Sequence, residues 1–158
     1  MGGFGSGVWE RTGTKRTVEN CLHLNITDFI STGNLVPGKS GVAIWSSVGL
    51  SRFRHKASFT VSSDQPGTLT LNLAFTLTGF GDVQQHIPIQ FLRMTDGRVY
   101  PRFVCPLNAD GQTCGRSVRK LYTKQCFFGC RMCLGLVYHS SQHAHKEERL
   151  IRKLRQLP

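Results

Sequence analysis

The sequence predicts a mainly β protein of the α+β class, with an antiparallel β-meander followed by a zinc-ribbon-like hairpin and a C-terminal basic helix. Three observations predict this fold. Apolar and polar residues alternate between residues 41 and 99, five cysteines fall within residues 105–133, and the last 20 residues are basic and amphipathic. The 158-residue chain is long enough for one medium domain or two small ones, and its 39% of apolar residues predict a buried core.

Changes in composition divide the chain into four predicted segments. The first is rich in Gly, Ser and Thr, which favours a flexible arm. The last is a run of basic residues with leucines at spacings of three and four, which favours an amphipathic helix. The segments are the arm (1–17), a strand and helix with an antiparallel sheet (18–100), the zinc-ribbon-like module (101–138) and the basic amphipathic helix (139–158).

The pattern of residues 18–35 predicts a strand that leads into a short helix. Its apolar residues first alternate with polar ones and then recur at helical spacing. Thr27 is placed to cap the start of the helix, and Gly33 is placed to end it.

Period-two alternation between residues 41 and 99 predicts consecutive antiparallel strands. Turn signals, such as Asp96-Gly97, separate the alternating stretches. In residues 67–80 the large apolar side chains share one face, which indicates a sheet with one buried face and one face in water. The residues of that face are Leu69, Leu71, Leu73, Phe75 and Leu77, and the aromatic residues expected in the core are Trp45, Phe53, Phe59, Phe75 and Phe91.

The cysteines predict a metal site. The N-terminus lacks the pattern of a secretory signal, so we expect a cytoplasmic, reducing location that favours metal ligation over disulfides. Cys130 and Cys133 are separated by two residues, so one tight turn can direct both sulfurs at one ion. Cys105 and Cys114 supply the other pair, with eight residues between them that suggest an inserted loop near 108–111. With residues 117–129 as a connecting hairpin, these four cysteines predict one structural Zn²⁺.

Two alternatives concern the ligands. Cys126 can replace a member of the set by joining Cys130, Cys133 and a histidine. His139, His143 and His145 can instead form a second or catalytic metal site.

The sequence favours a non-enzymatic protein. It has no H-E-x-x-H, G-x-S-x-G, P-loop or zinc-deaminase pattern, and Glu147 and Glu148 lie among basic residues of the predicted helix. Four thiolates also leave no open position on zinc. A metal-dependent nuclease is the enzymatic alternative.

The net charge of +11 makes nucleic acid the first partner to consider, with solubility as the alternative explanation. Residues 101–158 hold 11 basic and 3 acidic side chains, whereas residues 1–100 hold 9 and 6. Tyr122, Phe127 and Phe128 either stack on bases or cover the zinc site. The predicted nucleic-acid contacts are Arg116, Arg119, Lys120, Lys124, Arg131, Arg149, Arg152, Lys153 and Arg155.

Six motifs of the sequence together indicate a resemblance to a known group of proteins. They are MGGFGSG, TVENCLHLNI, GNLVPGKSG, RFVCP, CGRSVRKLY and CRMCLGLVYHSSQ. In these motifs the chain resembles a group of uncharacterised bacterial and prophage-borne proteins with an N-terminal MGGxGSG segment and a C-terminal zinc-ribbon-like module. The resemblance implies a zinc module and a bacterial or mobile-element setting, and it implies no activity.

The leading hypothesis is therefore a non-enzymatic zinc-ribbon nucleic-acid-binding accessory protein of a bacterium or mobile element. The alternative is an adaptor or inhibitor of phage or plasmid type that docks on a larger host protein or nucleoprotein complex. No apolar run approaches the roughly 18 residues of a membrane span, so we predict no membrane partner.

Overall fold

The computed structural model describes residues 16–46, 54–63, 67–77, 81–109, 111–124 and 126–141. The described chain is mainly β with antiparallel sheets, which confirms the predicted class. Most of the predicted arm, and the predicted C-terminal helix from residue 142 onward, lie outside the described residues. Within the described part, no helix has the length and hydrophobicity needed to cross a bilayer.

The first described residues already belong to the folded structure. Thr17 is 5% exposed and forms a parallel bridge with Val137, whose N–H donates to the carbonyl of Arg16 at 3.2 Å. The predicted arm of residues 1–17 is therefore too long by these two residues, because a partner distant in sequence supplies their backbone hydrogen bonds.

A short strand and helix follow, as predicted. A 3-10 turn spans Val18–Asn20, β1 spans His23–Asn25 and α1 spans Ile26–Ser31. The helix cap is Asn25 rather than the predicted Thr27, since the Asn25 Oδ1 accepts hydrogen bonds from the N–H and the hydroxyl of Thr27 at 3.3 and 2.7 Å. Gly33 follows the helix with a φ of +64°, a value that glycine adopts without strain.

The next five strands form the predicted meander. They are β2 (Ser40–Ser46), β3 (Arg54–Ser62), β4 (Leu69–Leu77), β5 (Gly81–Arg93) and β6 (Val99–Val104). From β2 to β5, each strand pairs antiparallel with the strand that follows it in the chain. At the β5–β6 turn, Gly97 has a φ of +80° and the Asp96 carboxylate accepts from the N–H of Arg98 at 2.9 Å.

The remaining strands are shared among three sheets. They are β7 (Asn108–Ala109), β8 (Gln112–Thr113), β9 (Ser117–Val118), β10 (Lys120–Lys124) and β11 (Phe127–Gly129). β9 extends the meander to a six-stranded sheet beside β6, whereas β10 pairs with β1 and β11 in a three-stranded sheet. The segment 117–129, predicted as one hairpin, is thus divided between two sheets at Arg119.

The predicted segments 18–100 and 101–138 share one sheet and one core. The boundary after residue 100 falls inside β6, and β1 from the first segment pairs with β10 from the second. In the core, the ring of Phe29 on α1 lies 5.4 Å from the ring of Phe59 and 6.1 Å from that of Phe103, centroid to centroid. The two segments are therefore expected to fold together.

Of the predicted core residues whose side chains are described, most are buried. Leu69, Leu71 and Leu73 are buried along β4, and Phe59 is 4% exposed. Phe91, by contrast, is 39% exposed, so its assignment to the core is wrong. The pairing of β4 with β5 starts at Ile89, so Phe91 extends past the end of β4. The side chains of Trp45, Phe53 and Leu77 lie outside the described residues, and Phe75 is partly buried against the core.

A buried glutamine joins the two larger sheets. Gln85 on β5 is 7% exposed, and its Nε2 donates to the Phe128 carbonyl while its Oε1 accepts from the Phe128 N–H, each at 2.8 Å. This pair of bonds fixes β11 against the six-stranded sheet, directly before the second cysteine turn. The alternation of β5 predicts that Gln85 points inward, but its partner is 43 residues away and carries no sequence signal.

Candidate metal centre

The four predicted ligands lie together at one end of the core. Cys105 follows β6 and Cys130 follows β11, so each larger sheet delivers one of them at the end of a strand. Cys105 is fully buried and Cys130 is 1% exposed, whereas Cys114 and Cys133 are partly exposed. The site therefore has two sulfurs within the core and two toward solvent.

The sulfur positions suit one tetrahedral ion. The Sγ atoms of Cys105 and Cys133 are 4.0 Å apart, those of Cys114 and Cys130 are 3.8 Å apart, and all four lie within 4.8 Å of one another. A metal–sulfur distance of roughly 2.3 Å in tetrahedral geometry corresponds to sulfur–sulfur separations of about 3.8 Å. The four cysteines can thus hold a metal ion and are compatible with one structural zinc.

The turn that carries Cys130 and Cys133 has its backbone N–H groups directed inward. The N–H of Cys133 donates to the Cys130 Sγ at 3.5 Å, and the N–H of Leu134 donates to the Cys130 carbonyl at 3.2 Å. Gly135 closes the turn with a φ of +61°. The N–H of Cys133, which donates to sulfur, stabilises the thiolate form that a metal ligand must take.

The turn that carries Cys105 and Cys114 contains the same N–H to carbonyl hydrogen bond as the Cys130–Cys133 turn, although a hairpin lies between its two cysteines. The N–H of Gly115 donates to the Cys105 carbonyl at 3.2 Å, as Leu134 does to Cys130. The N–H of Cys114 donates to the Leu107 carbonyl at 2.8 Å, and the short β7–β8 hairpin lies between these two residues. The β7–β8 hairpin lies where the insertion near 108–111 is predicted, and it lets Cys105 and Cys114 approach each other despite the eight residues between them.

Deleting residues 108–113 is expected to leave metal binding intact, because the chain then reads Cys-Pro-Leu-Cys-Gly, with two residues between the sulfurs. The purified deletion variant should keep the metal-to-protein ratio of the wild type by elemental analysis. A matched deletion of residues 107–113 leaves one residue between the cysteines and should lose the metal. Loss of metal in the shorter deletion would show that the hairpin itself shapes the site.

A missing Cβ lets the two cysteine turns approach each other. A Cβ built on Gly129 overlaps the Leu107 side chain, whose Cγ lies 2.8 Å away. Gly129 immediately precedes Cys130, and Leu107 lies two residues after Cys105. Substitution of Gly129 would therefore force the turns apart. Sequence reasoning missed this position, because only the contact between distant segments reveals it.

The thiols of Cys105, Cys130 and Cys133 have shifted pKa values. Burial raises the pKa of Cys105 and of Cys133. Burial also opposes ionisation of Cys130, but the N–H of Cys133 and the neighbouring thiols outweigh it and lower the pKa of Cys130 to about 7. A hydrogen bond to Cys130 and the charges of Cys114 and Cys130 raise the pKa of Arg116. Arg116, predicted to contact phosphate, thus also lies beside the sulfurs and offsets their negative charge.

Neither Cys126 nor His139 joins this set in the described part of the chain. Cys126 lies in the turn between β10 and β11 and is not among the sulfurs that come together in the described residues. The His139 N–H donates to the Glu19 carboxylate at 3.1 and 3.2 Å. His143 and His145 lie outside the described residues.

The structure describes only some of the residues predicted to contact nucleic acid. Arg119 and Lys120 are exposed at the start of β10, and the Arg131 guanidinium lies 5.0 Å from the centroid of the Tyr138 ring. Lys124 ends β10, but its side chain is not among those described. Arg149, Arg152, Lys153 and Arg155 lie outside the described residues.

The three predicted stacking rings have different environments. Tyr122 and Phe128 are 8% and 3% exposed, so neither ring is open to a base, and the Phe128 ring packs 6.1 Å from that of Phe75. Phe127 is 48% exposed. Of the three, only Phe127 presents its ring to solvent.

Comparisons with protein-family models, with curated proteins and with solved structures find no match to this chain. The resemblance to bacterial and prophage-borne proteins and the cytoplasmic location stay predictions.

Proposed function

We propose that this chain is a non-enzymatic nucleic-acid-binding accessory protein of a bacterium or mobile element, whose fold is held by one structural zinc. The observation that carries the proposal is the set of four converging sulfurs, three of which lie in a stretch, residues 111–141, with five basic and no acidic side chains. Soft thiolates in tetrahedral geometry favour zinc over the hard cations that prefer oxygen ligands. When bound, zinc supplies folding free energy.

The ligand set supports a structural rather than a catalytic role. Catalytic zinc sites keep one coordination position for water or substrate, whereas four cysteines fill all positions. The N–H groups of Cys130 and Cys133, both in the second turn, donate to the sulfurs of Cys105 and Cys130. The chain's own residues would thus fill the coordination shell of the ion.

The charge next to the site supports a polyanionic partner. Residues 111–141 contain five basic side chains and no acidic one, so this stretch has no internal carboxylate to neutralise it. Arg119 and Lys120 are exposed, and Arg131 is partly exposed. Phosphates are the anions that such a surface attracts irrespective of base sequence.

An electrophoretic shift assay on the zinc-loaded protein tests this function. We expect binding to at least one of duplex DNA, single-stranded DNA and RNA, with a salt slope of roughly −4 for four or five phosphate contacts. Charge reversal of Arg119 and Lys120 to glutamate should weaken binding to all sequences similarly. The matched control reverses Lys39 and Lys56, both exposed and placed before β2 and on β3. No shift with any polymer at low salt would overturn the proposal.

An adaptor is the second candidate, and one observation favours it. Val42 and Ile44 on β2 are 60% and 58% exposed, and β2 is an edge strand of the six-stranded sheet as far as the chain is described. Exposed apolar side chains on a strand edge are typical of protein contacts. If the chain is an adaptor, charge reversal of Arg119 and Lys120 should leave capture of the protein partner unchanged.

A further inference from the structure

A surface of rings and cations covers the outer face of the three-stranded sheet. We define this aromatic–basic face by His23, Lys120, Phe127, Arg131 and Tyr138. The strand register places His23 opposite Tyr122, Tyr122 opposite Gly129 and Lys124 opposite Phe127. Because side chains alternate along a strand, Phe127 lies on the face opposite to that of the buried Phe128. Lys120 lies on the same face as Tyr122, two positions earlier.

Tyr122 is buried on this face by a small apolar cluster, and the exposed rings and cations lie at the borders of that cluster. The other buried members of the cluster are Val18, Cys21 and Leu136. The His23 ring lies 6.0 Å from the Tyr122 ring at an angle of 46°. Burial and the nearby Tyr138 raise the pKa of Tyr122, and the charge of Arg131 lowers it, so both of these residues lie close to it. Tyr138 is 45% exposed, and its ring lies against the Arg131 guanidinium.

The charge of the face is complementary to phosphate. Lys120 and Arg131 are cationic, and the acidic residue beside Tyr122 is Glu19, whose carboxylate accepts from the N–H of His139. Two half-exposed aromatic rings among cations are the combination that single-stranded nucleic acids recognise, since each base offers a flat surface for stacking and each phosphate a charge.

We propose that the aromatic–basic face binds single-stranded nucleic acid, with the rings of Phe127 and Tyr138 stacked on bases and with Lys120 and Arg131 at phosphates. This proposal rests on the proposed nucleic-acid function and narrows it. In a duplex the bases already stack on one another, so exposed rings gain nothing from them.

The test compares three ligands of equal length: a single-stranded oligothymidine, an abasic oligomer with the same phosphates and no bases, and a duplex. For the zinc-loaded full chain we expect the oligothymidine to bind at least roughly fivefold more tightly than the abasic oligomer, the lower limit for one stacked base. Equal affinity for the abasic oligomer and the oligothymidine, or tighter binding of the duplex, overturns this proposal but leaves nucleic-acid binding in place. No binding of any ligand overturns both.

Variants assign the effect to the face. Phe127→Ala and Tyr138→Ala should each weaken oligothymidine binding roughly fivefold or more and leave binding of the abasic oligomer unchanged. Phe127→Trp, which keeps an aromatic ring at this position, should bind the oligothymidine as tightly as the wild type. The matched control is Phe91→Ala, which removes another partly exposed ring from the six-stranded sheet. An equal loss in Phe91→Ala, or no loss in either face variant while each retains zinc, contradicts the proposal.

Discussion

Replacing Cys130 with serine is expected to abolish stoichiometric zinc binding and to unfold the protein. Cys130 is 1% exposed, and its Sγ receives the N–H of Cys133 and lies 3.8 Å from the Sγ of Cys114. Structural zinc contributes on the order of 10–16 kcal/mol in small modules, which exceeds or matches the roughly 5–15 kcal/mol stability of a whole domain. Elemental analysis and thermal denaturation of the purified variant measure the two effects.

Cys126→Ser is the matched control, because Cys126 lies in the β10–β11 turn and outside the sulfur set. It should keep the zinc content and nearly the melting temperature of the wild type. Zinc retained at full stoichiometry in Cys130→Ser, or lost in Cys126→Ser, would contradict the ligand assignment.

Loss of the metal should destabilise the fold beyond the cysteine turns. Cys105 and Cys130 belong to the same buried cluster as Leu71 and Ile87 of the meander, so the six-stranded sheet shares its core with the site. We therefore expect chelation to lower the stability of the whole described fold in one transition. A meander that keeps its full melting temperature in the presence of a chelator would show two independent units instead.

Replacing Gln85 with alanine is expected to destabilise the fold by roughly 2–6 kcal/mol, because two buried backbone groups of Phe128 each lose a partner at about 1–3 kcal/mol. Gln85 is the side chain that bonds both of these groups, at 2.8 Å each. Chemical denaturation measures the free energy of unfolding, and zinc affinity should fall as well, since Phe128 is two residues from Cys130.

The adjacent Gln84 supplies the matched control for this variant. It lies on the same strand, points to the other face and is exposed. Gln84→Ala should change the free energy of unfolding by no more than about 0.5 kcal/mol. Similar effects of the two substitutions would show that the bonds to Phe128 contribute little.

The predictable features of this protein are those with a local cause. Alternation identifies the strands and the buried leucines of β4, and a tight two-residue spacing identifies Cys130 and Cys133 as one pair. The Asp96-Gly97 turn is predictable because glycine adopts the positive φ that it requires. The cap of α1 is also local, but Asn25 and Thr27 are both capable residues, and the start of the helix decided between them.

The sequence by itself determined the mainly β class of the fold, the consecutive strands of the meander and the pairing of Cys130 with Cys133, because periodicity and close ligand spacing act over a few residues. The structure decided that Cys105 and Cys114, rather than Cys126, lie beside that pair. Only the tertiary structure decided that β9 and β10 separate into two sheets, that Gln85 joins those sheets at Phe128, and that Phe127 faces outward while Phe128 is buried. These features depend on which distant segments come together to bury apolar surface and satisfy backbone groups, and a pattern of neighbouring residues does not encode that choice.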